Sequence, residues 1–309
     1  MKNKKTNITS CIVFFSALAL NLLKGFFERS KDILRQAQDE RLQNKKNKYS
    51  SILFIFVSFN LTNAFITESN RLATILKYIN PLNNTLVIFD IDNTITHPEI
   101  EFGSDEWFCH KIAQKKAEGF DDLTAIYYVL PLLFYAQFNI DLEPTEDGIP
   151  ELIQYLTENG IAVMALSTRS LPIVERTLEQ LDNIDIHFCM PDIEPHDLIL
   201  PMHHPCFYKN GILFAGNNDK GEALHTFFEM MNYQPDAVIF IDDKLKYLHS
   251  VEKALEKYEI PFVGIRYSGC DERVKNFDPN KSVAQLHAIR TRNSKNKNIS
   301  SQEEKIVSC

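Results

Sequence analysis

Three observations predict an α/β fold built on a parallel central sheet. Apolar runs of strand length recur at 86–89, 161–166, 237–241 and 261–266. From residue 149 onward they alternate with stretches of helical periodicity, the signature of successive βα units. Three of the runs stop at polar residues: Asp90 and Asp92, Ser167, and Asp242 with Asp243. In open α/β sheets ligands collect beyond the carboxyl ends of the strands, so these positions are candidates for chemistry.

Residues 1–64 read as targeting sequence. Lys2, Lys4 and Lys5 precede the apolar run Cys11–Leu23, and Lys45, Lys46 and Lys48 precede a second run, Ser51–Leu61, followed by Thr62-Asn63-Ala64. Each has the layout of a signal peptide, and the second has the better cleavage site, so the mature chain is expected to begin near Phe65. Both runs are shorter than the roughly 20 residues of a spanning helix. Contact with a membrane is therefore expected only through this signal, or through an uncleaved anchor, in a periplasmic or secreted protein.

The formal charge of −8 conceals an asymmetry. Residues 1–64 hold 11 Lys or Arg against 4 Asp or Glu, which leaves 22 against 37 in the remainder. So acidic a body argues against nucleic acid as a partner, because phosphate backbones are neutralised by basic patches. Six cysteines, at 11, 109, 189, 206, 270 and 309, include no C-x-x-C pair, which argues against a structural zinc site. Their pairing is left open.

The first strand is Leu86–Phe89, and it runs into a segment with two readings. Asp90-Ile91-Asp92-Asn93-Thr94 is either a turn stabilised by its own Asp and Asn side chains or the nucleus of a site. After it, Ser104 is placed to cap a helix with Asp105 and Glu106 in its first turn and Gly119 at its end. A second amphipathic stretch, Asp122–Phe138, is interrupted by Pro131. Residues 95–144 thus form a small helical insertion, or helices that cover a sheet face.

Beyond Thr145 a helix from Ile149 to Asn159 leads into the strand Ile161–Leu166, then Ser167-Thr168-Arg169-Ser170, a helix Pro172–Leu181 and a strand Asp185–Met190. Residues 191–211 are irregular, with four of the thirteen prolines and His196, His203 and His204. Asn210-Gly211 predicts a tight turn in a hairpin near the cleft. Lys220 opens a helix to Met231, the strand Ala237–Ile241 ends at Asp242-Asp243, a helix covers Lys244–Lys257, and Pro261–Arg266 is the last strand. Residues 269–309 form an extension whose polar end, beyond Asn293, is expected to be disordered.

Four junctions at one end of the sheet therefore offer carboxylates, a hydroxyl and a lysine. Hydrolysis of a phosphomonoester needs a nucleophile, an acid for the leaving oxygen and positive charge around the phosphoryl oxygens. Oxygen-only acidic ligands suit Mg²⁺. In this order the chain resembles the haloacid dehalogenase (HAD) superfamily of phosphohydrolases. The strand ending D-x-D-x-T matches Leu86–Thr94, the strand ending in Ser or Thr matches Ile161–Ser167 with an S-T-R continuation, the motif lysine matches Lys220, and the strand ending D-D matches Ala237–Asp243.

The resemblance covers residues 84–268 and implies a three-layer, Rossmann-like core from 65–94 and 145–268, with 95–144 as a helical cap. It makes Asp90 the nucleophile and a Mg²⁺ ligand. Asp92 becomes the general acid and base and lends its carbonyl to the metal. Ser167 and Lys220 hold phosphoryl oxygens, Asp242 completes the metal site and Asp243 assists it. Asn93, Thr94, Thr168 and Arg169 are placed for phosphate or substrate contact, with a structural pairing to a carboxylate at the cleft edge equally open for Arg169. An acid at position 92 favours a phosphatase or phosphotransferase acting on a small phosphorylated metabolite over other chemistries of the superfamily. A non-catalytic periplasmic or surface interaction protein on the same scaffold is the competing reading.

Overall fold

A computed structural model describes residues 64–80, 83–191, 193 and 197–307. The two N-terminal apolar runs, Cys11, Cys309 and His196 lie outside the described residues.

The chain opens with an edge strand, β1 (Phe65–Ser69), followed by a 3-10 turn at Leu72–Lys77 and the central strand β2 (Thr85–Phe89). A short ribbon, β3 (Thr96–Pro98) paired antiparallel with β4 (Leu142–Pro144), brackets the insertion, which holds helices α1 (Asp105–Ala117) and α2 (Asp122–Asn139). The core then resumes with α3 (Ile149–Glu158), β5 (Ala162–Ser167) and α4 (Val174–Asp182). Three short strands come next, β6 (Leu198–Leu200), β7 (Cys206–Lys209) and β8 (Ile212–Phe214). The last units are α5 (Lys220–Met231), β9 (Ala237–Asp242), α6 (Leu245–Glu256), β10 (Phe262–Tyr267), α7 (Asp271–Lys275) and α8 (Pro279–Val307).

The main sheet runs β1-β10-β9-β2-β5-β8-β7-β6, parallel from β1 to β8, with β7 and β6 antiparallel at one edge. Pleating sends alternate residues of β2 to opposite faces. Leu86 and Ile88 join a core with α5 and α6 through Leu224, Phe227 and Val251, while Val87 and Phe89 meet α3 and α4 through Ile153, Leu156 and Leu181. All five β2 residues are buried, which is why this strand reads as a continuous apolar run rather than an alternating one. This is the expected three-layer, Rossmann-like arrangement.

Local signals explain the element boundaries. The Trp107 amide donates to Ser104 Oγ at 3.1 Å to start α1, and Asp121 caps α2 by accepting from Thr124 N. Asn210 and Gly211 take left-handed conformations, φ 47° and 78°, in the two-residue turn that registers Lys209 against Ile212. That turn precedes β8, so it lies at the opposite end of the strand from Phe214, which pairs with Ser167; the expected hairpin forms, but its tip is remote from the cleft.

Two expectations are corrected. Residues 185–190 are not a strand: Asp185 adopts φ 56°, and only an isolated bridge joins Cys189 to Val163, because the place beside the end of β5 is taken by β8. The C-terminal extension is helical to Val307 rather than irregular beyond Asn293. Leu286 and the buried Ile289 enter the cap's apolar cluster with Phe102, Trp107 and Val129, so the helix gains a tertiary partner that composition does not reveal. Phe102 N also donates to Gln285 Oε1, and Asn293 Nδ2 donates to Asn139 Oδ1. Among the described residues Cys109, Cys189, Cys206 and Cys270 are free thiols, and no helix is long and apolar enough to cross a membrane.

Candidate active site

The end of β2 is held at the sheet's centre. Asp90 N donates to Ile241 O of β9 at 2.9 Å, continuing the strand ladder by one residue and fixing the direction of its side chain. The chain then turns sharply: Asn93 sits at φ 60°, a conformation Asn tolerates, and the amides of Ile95 and Thr96 both donate to Ile91 O. Thr94 is thereby folded back under Asp90, where its hydroxyl donates to Asp90 Oδ2 at 3.1 Å and accepts from Asp243 N at 3.1 Å.

Lys220, the first residue of α5, is completely buried. Asp219 caps the helix by accepting from Glu222 N, and Gly221 lets the backbone approach Ser250 of α6, a place a Cβ would fill. From there Lys220 Nζ reaches Asp90 Oδ1 at 2.5 Å and Asp242 Oδ2 at 2.7 Å, over the Tyr247 ring. Burial would lower the ammonium pKa; the charges of Asp242 and Asp90 outweigh it and leave the pKa raised.

One ammonium does not balance the carboxylates around it. Oxygens of Asp90, Asp242 and Asp243 all lie within 4.8 Å of one another. Burial pushes the Asp90 carboxyl up, Lys220 pulls it back and Asp242 pushes it up again, so that it titrates at about 7. Asp243 is pushed to about 8 by burial and then by Asp90. Among the described residues no cationic side chain lies within ion-pair distance of the Asp243 carboxylate. Three hard oxygen donors with surplus negative charge fit a Mg²⁺ ion, which takes few protein ligands and keeps several waters.

Asp92 belongs to a separate network. Arg169 grips both its oxygens, Nε to Oδ2 at 2.9 Å and Nη2 to Oδ1 at 2.7 Å. Burial alone would raise this carboxyl, but the guanidinium outweighs it and holds the pKa below the ordinary value. Arg169 is itself buried and donates through Nη1 to Thr177 Oγ1 and Gln180 Oε1 on α4. Its backbone N–H donates to the hydroxyl of buried Ser167, at the end of the strand beside β2.

The ten sequence-selected positions thus divide. Asp90, Thr94, Lys220, Asp242 and Asp243 form one hydrogen-bonded cluster, and Asp92 and Arg169 a second, with Ser167 attached. The side chain of Asp92 is not among the three clustered carboxylates. Asn93 turns away, its amide donating to Glu106 Oε1 at 2.6 Å, while Thr168 is exposed. Sequence reasoning missed the insertion's share: Lys244 Nζ pairs with Asp105 at 2.8 Å, and Glu106, its side chain 7% exposed, also faces Arg273 at 3.5 Å. The two acids were legible only as favourable charges in a first helical turn. Gln180 had no signal beyond a helical position.

A family model described as "Protein of unknown function (DUF2608)" matches residues 68–304. The chain belongs to this family. DUF2608 therefore spans both the core and the cap. Similar proteins include one named "Putative outer membrane protein" in Chlamydia muridarum, 25% identical over 223 residues, covering 70% of this chain and 84% of the relative. A protein of the same name in Chlamydia trachomatis is 26% identical over 221 residues, covering 69% and 83%. An uncharacterized protein of Rickettsia bellii is 31% identical over 108 residues, covering 31% and 37%. Among solved structures, a haloacid dehalogenase-like family hydrolase of Streptococcus pneumoniae matches at a TM-score of 0.36 and 12% identity, covering 65% of this chain and 98% of that one.

Proposed function

We propose that this DUF2608 chain is an exported, Mg²⁺-dependent phosphomonoesterase working through an aspartyl-phosphate on Asp90. The observation that carries the reading is the buried Lys220 bridge between Asp90 and Asp242, beneath a three-carboxylate cluster and beside an independently held Asp92. A structural turn has no need of a buried lysine shared by two acids, since replacing such groups by apolar ones is often neutral or stabilising.

Asp90, Asp242 and Asp243 would hold the metal, which supplies charge that offsets repulsion between these carboxylates and an anionic ester. Lys220 and the Thr94 hydroxyl fix the Asp90 carboxylate from both oxygens. A carboxylate oxygen of Asp90 attacks phosphorus, forming a new P–O bond as the bond to the leaving oxygen breaks. Asp92 gives that oxygen its proton; Arg169 favours the ionised form, and an arriving anionic substrate opposes it by raising the pKa. In the second half, Asp92 as carboxylate takes a proton from the water that attacks phosphorus, freeing Asp90 and inorganic phosphate.

Phosphate release from a panel of monoesters with and without Mg²⁺ tests the reading, which fails if no ester is hydrolysed or if Asp90→Asn keeps full activity. Export draws on the names of the chlamydial relatives and on the signal-like start; sequencing the N-terminus of exported protein tests it, and a start upstream of residue 50 opposes the expected cleavage. The exposed side chains Leu123, Tyr127 and Phe138 along α2 favour a second reading, a surface interaction protein without turnover. Trapping of a phosphoryl analogue such as beryllofluoride on Asp90 would exclude that alternative.

A further inference from the structure

We propose that Arg169 and Gln180 are positioning residues that align the Asp92 carboxyl according to where the second helix of the cap sits. This rests on the phosphatase reading for its kinetic consequence, although not for the physical linkage. The polar chain runs through the interior without a break. Arg169 holds both oxygens of Asp92, and its Nη1 donates to Gln180 Oε1 at 2.9 Å. On the other side Gln180 Nε2 donates to two backbone carbonyls at the end of α2, Gln137 O at 3.2 Å and Ile140 O at 2.9 Å. Gln180 is 1% exposed and Arg169 5% exposed, so water does not substitute for any of these partners at low cost.

The chain has a direction. A side-chain amide offers one accepting oxygen and one donating nitrogen. With the nitrogen committed to the carbonyls of α2, the oxygen must face Arg169. Thr177 Oγ1 donates to Ile173 O, which leaves it an acceptor for the same guanidinium nitrogen. Removing the carbonyls frees the amide to rotate and takes an acceptor from Arg169, whose remaining strong partner is Asp92. Guanidinium and carboxylate then shift as a pair, and the carboxyl loses the orientation needed toward the leaving oxygen. A displacement of about 1 Å at such a group is enough to cost of order a hundredfold in rate. The cap's relevance to chemistry would therefore include alignment of the proton donor, in addition to covering the site.

The test uses the full chain with Gln180→Met, which keeps the side chain's length and removes both hydrogen-bonding ends. Two substrates separate alignment of the acid from general damage: 4-nitrophenyl phosphate, whose leaving group needs little protonation, and glycerol 2-phosphate, whose alkoxide needs it. The expected result is a fall in kcat/KM, which reports the steps up to the phosphoenzyme and so excludes the water attack common to both esters, of about tenfold or more for glycerol 2-phosphate, with less than about a twofold change for 4-nitrophenyl phosphate. Equal losses on the two esters, or no loss, would overturn the proposal.

Hydrogen exchange of Asp92→Asn supplies an arm that needs no turnover. Breaking the pair with Arg169 should speed exchange of the amides at residues 136–141 by about tenfold, with the amides of β9 unaffected. Unchanged exchange at the end of α2 overturns the linkage. If the wild-type chain hydrolyses neither these esters nor any of the panel, the phosphatase reading fails while the exchange result still decides the linkage.

Discussion

Titrating the three-carboxylate cluster in the absence of metal should destabilise the protein. Asp90 is moved from 3.8 to about 7, and Asp243 from 3.8 to about 8. Between the unfolded value and these raised values the folded state retains a proton that the unfolded chain has released. Stability must then fall as pH rises from about 4 to about 8. The two groups repel each other, so their shifts share one interaction and are not summed. Taking Asp90 alone, roughly three pKa units at ~1.4 kcal/mol each give ~4 kcal/mol. For a domain of this size that corresponds to a fall of about 8–16 °C in Tm.

A divalent cation should reverse the trend, because it binds the ionised carboxylates and competes with protons. Thermal unfolding followed by circular dichroism at pH 5 and pH 8, with EDTA or with Mg²⁺, makes the comparison. The expected pattern is little effect of Mg²⁺ at pH 5 and a large rise in Tm at pH 8. Asp243→Asn, which removes one of the repelling charges, should flatten the metal-free profile and weaken the Mg²⁺ response. An equal Mg²⁺ effect at both pH values, or a wild-type profile in Asp243→Asn, would refute the reasoning.

Other perturbations have equally definite outcomes. Lys220→Met leaves Asp90 and Asp242 buried without their countercharge and should cost about 3–5 kcal/mol in denaturant unfolding, with partial rescue at low pH, where the acids are protonated. Trp107→Ala empties the centre of the cap cluster, where the ring packs edge-on to Phe102 with centroids 5.0 Å apart; a loss of about 3–5 kcal/mol is expected from calorimetry, with the core sheet still protected in hydrogen exchange. Gly211→Ala forces a left-handed residue and sets a Cβ 2.6 Å from Phe188 Cβ, so it should lower stability by more than about 1 kcal/mol in the same assay.

Much of the core was legible because its signals are local. The run Leu86–Phe89 is apolar on both faces, Ser104 caps its helix, and Asn210-Gly211 can hardly serve any turn but a tight one. The acids at 90, 242 and 243 were legible as strand ends, and the sheet order then brings β2 and β9 side by side. The unread parts depend on partners distant in sequence. Residues 185–190 carry a strand-like pattern, but β8 occupies the sheet position they would need. The tail beyond Asn293 is mostly polar, and its helix is anchored upstream by Leu286 and Ile289 against an insertion more than 140 residues earlier. Arg169 was open between a substrate contact and a structural partner of a carboxylate at the cleft edge, and it takes the second place, with its donors on Asp92, Thr177 and Gln180. No local pattern could show that the acid and its guanidinium meet 77 residues apart.

The long terminal helix changes what kind of cover the insertion is. Connected only through the β3–β4 ribbon, a cap has one axis about which it can swing, and the work of opening is that of flexing two short strands. Here a third support reaches the same body from the far end of the chain, through Ile289 in its apolar centre and Asn293 on Asn139. Swinging the body away would strip that support, exposing apolar surface at about 25 cal/mol per Å². The insertion is therefore closer to a braced body than to one hung on a single hinge.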